Sequence, residues 1–356
     1  MTNTHATHAA ILVQQNQPLV VDDVELPNVL SPGQVRVEIK HSGVCGSQLG
    51  EIAGVKGPDK WLPHLLGHEG GAVVLETGPG VRHVREGDHV VMHWRPGNGI
   101  DAGPGTYRWQ GSPLPDERLN AGPITTFQRH AVVSENRLTA IPKDVPLDVA
   151  ALFGCPITTG LGVVENDANL KPGHALVVWG SGGVGLTIIQ VAAMVSATPI
   201  VAVDLHEHRL QLARNLGATH TVHAADQSPQ DLADHIETLI GEKPYCVVDN
   251  TGLPAVIQAA YDLTANHGRT VLVGVPRHDA DTTLHTLPLH FGKTLKGSEG
   301  GSCQPAQDIP RYLKLVATGR LNIDALITHR YGFEDINRAV NDLRDGIVTG
   351  RCMVDM

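Results

Sequence analysis

"HALVVWGSGGVGLTIIQVAAMVS", residues 174–196, opens with an apolar run too continuous for a strand that has one wet face. The run leads into Gly180, Gly182 and Gly185, which keep the G-x-G-x-x-G spacing, and apolar residues at a helical period follow. Such glycines let the backbone turn sharply and approach a pyrophosphate whose charge sits at the helix N-terminus. Gly183 and Val184 complete the loop and are read with it as cofactor-binding. A tight turn alone would also use these glycines; their place between a strand and a helix favours a dinucleotide. Asp204 closes the next apolar run, "PIVAVD", near the roughly 20-residue offset at which a carboxylate bonds a ribose 2′-hydroxyl. It would repel a 2′-phosphate, so NAD is expected over NADP. A helix N-cap is the plainer alternative for Asp204.

Downstream, "YCVVDNTG", "PAVIQAAYDL" and "RTVLVGVP" continue the alternation of apolar strands and helices that marks a buried parallel sheet. Upstream, the texture differs. "GQVRVEIKHSG", "GGAVVLETGPGVRHVREGDHVV" and "TFQRHAVVSENRLTAIP" alternate at a period of two between turn residues, which predicts a compact all-β region. Between them, Trp94 to Pro123 is rich in Gly and Pro without periodicity and is expected to be a long surface loop. From Lys296 the chain returns to mixed elements, including the helix-like "DIPRYLKLVATGRL" and "FEDINRAVNDLRDG". The expected fold is α/β: a doubly wound parallel sheet joined to a mostly-β region.

The bulk numbers narrow the setting. A chain of 356 residues is comfortable for two domains. Its net charge of −10 argues against nucleic acid or an anionic membrane as partner. No apolar stretch is long enough to span a bilayer, and "MTNTHATHAAILVQQNQ" lacks the pattern of a signal peptide, so a soluble cytoplasmic protein is expected. Five scattered cysteines, an odd number, are not a disulfide framework.

A redox domain needs a partner group that polarises its substrate. Cys45 in "GVCG", His68 and Glu69 in "LLGHEGG", and Cys155 in "FGCP" offer a Cys-His-Cys set of the kind that holds a catalytic zinc with one open position. A lone cysteine is more often a small buried residue, so spacing alone leaves this open. Across nearly its whole length, however, the chain resembles the zinc-dependent medium-chain alcohol dehydrogenases. The stretches that carry the likeness are "GVCGSQL", "LLGHEGGAVV", "VREGDHVV", "FGCPITTGLG", "GSGGVG", "VLVGVP", "KTLKGS", "LITHRY" and the final "TGR".

The resemblance implies a GroES-like catalytic domain formed by 1–156 and 296–356 and a Rossmann NAD-binding domain at 157–295, with Cys45, His68 and Cys155 as zinc ligands and Glu69 as a carboxylate near the metal. It implies Ser47 as the acceptor of the substrate's proton. Thr159 would lie against the nicotinamide, and Val273 and Val275 would offer backbone partners to its carboxamide. Arg209 would stand beside the adenosine ribose and Arg351 would reach the pyrophosphate. Small alcohols or carbonyls are the implied substrates, with a homodimer or homotetramer joined through the outer strand of the cofactor domain around "TTLHTLPLHF".

Several residues depart from the family pattern. Trp94 to Pro123 contains no cysteine where many members hold a second, structural zinc, so one catalytic zinc per subunit is expected. Gly50 stands where several members place a histidine ending the proton relay, which leaves bulk water or His93 for that task. Glu299 aligns with a pocket wall that is usually aliphatic. His93, Trp94 and Phe127 join it as a candidate substrate pocket, hinting at a polyol or sugar-like alcohol. Core packing would explain Trp94 equally well, and solvent exposure Glu299. Gln48 replaces a family aspartate that accepts a bond from the histidine ligand; its amide oxygen can still do so, without the charge. Two other readings stay open: a relative that keeps its NAD permanently bound, and a non-catalytic NAD-binding protein. The joint presence of Cys45, Ser47, His68, Glu69 and Cys155 speaks against the latter.

Overall fold

Leu176, Val177 and Val178 are wholly covered on both faces of the strand Leu176–Trp179, as expected of a strand inside a parallel sheet. The structure, a computed structural model, describes residues 6–356. Among the described residues the chain divides into two compact units, one holding residues up to Cys155 with Gln304–Lys314 and Ile327–Met356, the other Pro156–Cys303 with Leu315–Leu326.

In the second unit the strands lie in the order His220–His223, Ile200–Asp204, Leu176–Trp179, Cys246–Asp249, Arg269–Leu272, Thr294–Gly297, all parallel. The chain leaves Leu176–Trp179 toward one edge and later returns to build the other. The crevice of a doubly wound sheet therefore opens beyond the carboxyl ends of Leu176–Trp179 and Cys246–Asp249. The helices Gly183–Met194, Glu207–Asn215, Pro229–Ile240 and Pro254–Leu263 connect the strands. Val201, Val203, Val247, Leu232, Ile236 and Ala260 share one buried cluster, in which each large apolar side chain contributes about 1.5–3 kcal/mol.

The first unit is built on two sheets, antiparallel apart from the parallel pair Ile327–Gly332 and Arg351–Asp355 in the larger one. The long strand Gln34–Val44 pairs with Glu69–Thr77, His130–Ser134 and the C-terminal Arg351–Asp355. Its alternating Val35, Val37 and Ile39 face Ala72, Val74, Val90 and Met92 in a fully buried core. A second sheet runs His64–Leu65, Ala6–Leu12, Val20–Glu25, Tyr107–Arg108, Arg118–Leu119.

Two expectations change here. The stretch from Trp94 to Pro123 is not simply a surface loop: Tyr107, Trp109 and Leu119 are buried, and two short strands from it extend the second sheet. Strands of two residues are too short to show a period, and Val20–Glu25, on which the first of them pairs, is distant in sequence. "TTLHTLPLHF" is not a strand either. It is irregular and ends in the 3-10 turn Leu287–Phe291, while the edge of the sheet is Thr294–Gly297. Pro288 and the left-handed Gly292 (φ 97°) interrupt the pairing there, and Leu287, Leu289 and Phe291 are left exposed.

Candidate metal centre and cofactor crevice

Three turns of the first unit bring the sulfur and nitrogen ligands together. Cys45 follows the last residue of Gln34–Val44 and precedes the helix Gly46–Ile52. His68 stands just before Glu69–Thr77, after a turn that needs glycine. Gly67 has φ +90°, and a Cβ there would lie 2.3 Å from Thr126 Oγ1. Cys155 closes the segment after the buried helix Leu147–Leu152. The ligand atoms of Cys45, His68 and Cys155 all lie within 4.8 Å of one another. The two sulfurs are 4.0 Å apart, far beyond a disulfide bond. Two thiolates each about 2.3 Å from one tetrahedral zinc would be about 3.8 Å apart, so this donor set fits zinc.

The electrostatics suit a cation. Donation from the Cys155 thiol lowers the Cys45 thiol well below its ordinary range, helped by His68 and Arg351 and opposed by burial. Cys155, as that donor and as a buried group, is raised. Glu69 is fully buried and ion-paired to Arg351, yet burial pushes its carboxyl up to about 7. Glu69 Oε2 and Ser47 Oγ are buried with no hydrogen-bond partner among the described residues. An orphaned hydroxyl two residues from a candidate ligand is a group held ready for something other than protein. Gln48 differs from expectation: its Oε1 accepts the Cys45 N–H at 3.1 Å, and its Nε2 faces His68 Nδ1.

In the second unit, Gly180 takes φ +89°, and a Cβ on Gly185 would lie 2.1 Å from the Gly180 carbonyl oxygen, so the fold itself demands both glycines. Gly182 is different. A Cβ there would meet nothing within 4 Å, so the protein alone does not require it, whereas a closely approaching pyrophosphate would. Gly183 and Val184 open the helix Gly183–Met194, whose N-cap Gly182 supplies no side-chain acceptor, leaving its first N–H groups for an anion.

Asp204 is buried and pinned: it accepts the Ser181 N–H at 2.7 Å and the His206 N–H at 3.0 Å, with Arg209 at 3.8 Å. Thr159 is buried in the helix Pro156–Gly162, and Val273 and Val275 follow Arg269–Leu272. The sequence reading missed Asn250. It follows Cys246–Asp249 directly across the crevice from Gly180, donates toward the Gly180 carbonyl at 3.2 Å, and its Oδ1 is buried without a partner among the described residues. The signal was present: a polar residue closing the apolar run "YCVVDN" at a switch-point strand.

Two of the candidate pocket residues, Phe127 and His93, are closed off within the first unit. Phe127 is wholly buried in the core with Leu12 and Phe333, so it cannot line a pocket; its apolar ring fills the space beside Gly67. His93 is buried with both ring nitrogens engaged, Nδ1 with the Arg95 carbonyl at 2.7 Å and Nε2 with the Thr139 hydroxyl at 2.9 Å. Burial lowers it to about 4, so it is a neutral structural residue and no proton relay. Trp94 is half-buried with the Arg95 guanidinium over its ring, and Glu299 is exposed ahead of the turn Gly300–Ser302.

A dinucleotide crevice on one unit and a buried Cys-His-Cys donor set on the other are the equipment of a metal-dependent dehydrogenase. Family profiles described as alcohol dehydrogenase GroES-like domain and zinc-binding dehydrogenase match residues 31–143 and 183–318. The chain is 32% identical to alcohol dehydrogenase class-3 of Cereibacter sphaeroides, over 96% of this chain and 97% of that protein. It is 30% identical to the NDMA-dependent alcohol dehydrogenase of Amycolatopsis methanolica, over 96% of each. The crystal structure of benzyl alcohol dehydrogenase from Acinetobacter calcoaceticus superposes with a TM-score of 0.86 at 26% identity, covering 99% of both chains. The chain belongs to the zinc-dependent medium-chain alcohol dehydrogenase family and is an NAD-dependent zinc enzyme of that type.

Proposed function

We propose that this enzyme interconverts a polar, polyol- or sugar-like alcohol and its carbonyl product, with Cys45, His68 and Cys155 holding one catalytic zinc. The convergence of those three ligand atoms within 4.8 Å carries the reading. Bound there, zinc supplies a Lewis acid that lowers the pKa of an alcohol oxygen, and NAD supplies the hydride acceptor. Ser47 takes the hydroxyl proton and passes it to water, since His93 is closed to that role. Asp204 and Arg209 hold the adenosine ribose, the Gly180–Gly185 loop the pyrophosphate, and Thr159, Val273, Val275 and Asn250 the nicotinamide end. Glu69 and Arg351 form a buried ionic pair near Cys45 and Cys155.

The polar substrate is supported by a cavity of about 600 Å³ that Gln48 and His68 share with Glu51, Asp59 and His64. The His64–Asp59 pair (2.8 Å) and the Glu51 carboxyl, raised by burial, suit hydroxyl groups. Glu299 is a further candidate contact. The exposed Leu287 and Phe291 suit a homodimer or homotetramer interface, and a cytoplasmic setting matches the free thiols.

The test is alcohol-dependent NADH formation across alkanols, polyols and cyclitols. Cys155→Ala should abolish both zinc and turnover, while Ser47→Ala should keep zinc and lose roughly 100-fold or more in kcat. Glu51→Leu and Glu299→Leu should each lose at least about tenfold more kcat/KM on polyols than on alkanols. Equal losses on both substrate classes would sink the polar-substrate reading, and zinc retained by Cys155→Ala would sink the metal centre. NAD surviving dialysis would point instead to a permanently bound cofactor.

A further inference from the structure

We infer that Trp61 is a platform on which the face of a sugar-like ring stacks, so that the substrate is a cyclic polyol rather than an open-chain one. This rests on the polar-substrate reading and narrows it. Trp61 lines the cavity of about 600 Å³ that Gln48 and His68 also line. The other large apolar residues of that cavity, Leu65, Leu66, Leu119 and Ile124, are buried, whereas Trp61 is 61% exposed. A lone exposed apolar side chain needs no explanation by itself. Trp61 is set apart by how it is held. Its N–H donates to Asp59 Oδ1 at 2.8 Å, and its carbonyl accepts the Asn120 side-chain N–H at 2.6 Å. Both clamps are themselves fixed. Asp59 Oδ2 meets His64 Nε2 at 2.8 Å, and the Asn120 backbone pairs with Pro63 (3.1 Å) and Leu65 (2.9 Å). The backbone of Trp61 is therefore ordered before any ligand arrives, while its indole is left to water.

An indole presents a negative π face. The Lys60 ammonium lies over one side of this ring, 5.1 Å from its centroid. The opposite side suits weakly positive C–H groups. A cyclitol or pyranose turns several C–H bonds toward one face of its ring and its hydroxyls toward the rim, so stacking and hydrogen bonding do not compete. An open-chain polyol mixes the two along its length and must also give up free rotation about its bonds to stack. Glu51 and Arg118 line the same cavity and can meet rim hydroxyls, the first as acceptor and the second as donor.

NADH formation is measured on cyclitols and methyl pyranosides against alditols, with alkanols as reference. The unaltered chain should favour its best ring polyol over its best alditol by roughly tenfold or more in kcat/KM. Trp61→Ala should lose at least about tenfold more on ring polyols than on alditols, chiefly through KM, because stacking holds bound substrate and transition state alike. Trp61→Phe, which keeps an aromatic face, should recover most of that loss. Alditols used as well as ring polyols by the unaltered chain, equal losses on both classes in Trp61→Ala, or no recovery in Trp61→Phe overturns the inference. The first of these outcomes is read without a variant, so it stands however the variants fold. Alkanols used better than every polyol would overturn the parent reading instead, whereas alditols favoured over both other classes would leave that reading and remove only the ring.

Discussion

His93 shows how one buried side chain can set a pH limit. Its ring is neutral because burial outweighs the bond that its Nδ1–H donates to the Arg95 carbonyl and holds it near 4. An unfolded histidine titrates near 6.5, so between about 6.5 and 4 the unfolded chain binds the proton and the folded chain does not. Stability from this residue is whole above that window and declines as pH falls through it, by as much as about 3 kcal/mol. His93→Met should flatten the acid side of the melting-temperature profile over that range. A slope unchanged from the native chain would show that the ring does not control it.

At the scale of elements, Glu135 ties a glycine-rich crossing to the sheet. It follows His130–Ser134, and its carboxylate accepts the N–H groups of Arg82 (2.6 Å), His83 (2.8 Å) and Ile100 (2.8 Å). Burial works to raise the carboxyl, but those donors outweigh it and hold it below the usual glutamate range. Its contribution is present above the ordinary pKa, about 4.3, and is lost as pH falls through the lowered value. Glu135→Gln should destabilise the protein by about 2 kcal/mol at pH 7, with the difference shrinking in acid. Denaturant unfolding at both pH values measures this. In the other unit, Gly185→Ala would drive a Cβ into the Gly180 carbonyl. It should weaken NAD binding at least about tenfold by fluorescence titration, while zinc content stays unchanged.

For the whole molecule, the stretch from Trp94 to Pro123 is organised by Tyr107, Trp109 and Leu119 together with a Trp109–Asp22 hydrogen bond of 2.9 Å, and it has no cysteine. Metal analysis should therefore return one tightly held zinc per chain. Stripping that zinc with a chelator should lower the melting temperature, since a ligand at 100 times its Kd adds about 2.7 kcal/mol. Two retained zincs per chain would require donors outside the Cys45 centre.

Much of this protein was determined by local sequence. Gly180, Gly182 and Gly185 mark a strand-to-helix turn because backbone conformation and close approach are local properties, and a continuous apolar run implies a strand covered on both faces. Cys45, His68 and Cys155 could be named as candidate ligands through their family-like surroundings. Tertiary structure alone decided what depends on distant neighbours. It recruited two-residue strands from a Gly/Pro stretch into a sheet and sent Phe127 to the core. It also closed both nitrogens of His93 and aimed the Gln48 oxygen at Cys45 rather than His68. Each is a choice of hydrogen-bond or packing partner among groups far apart in the chain, and such choices are settled only when the fold fixes which groups meet.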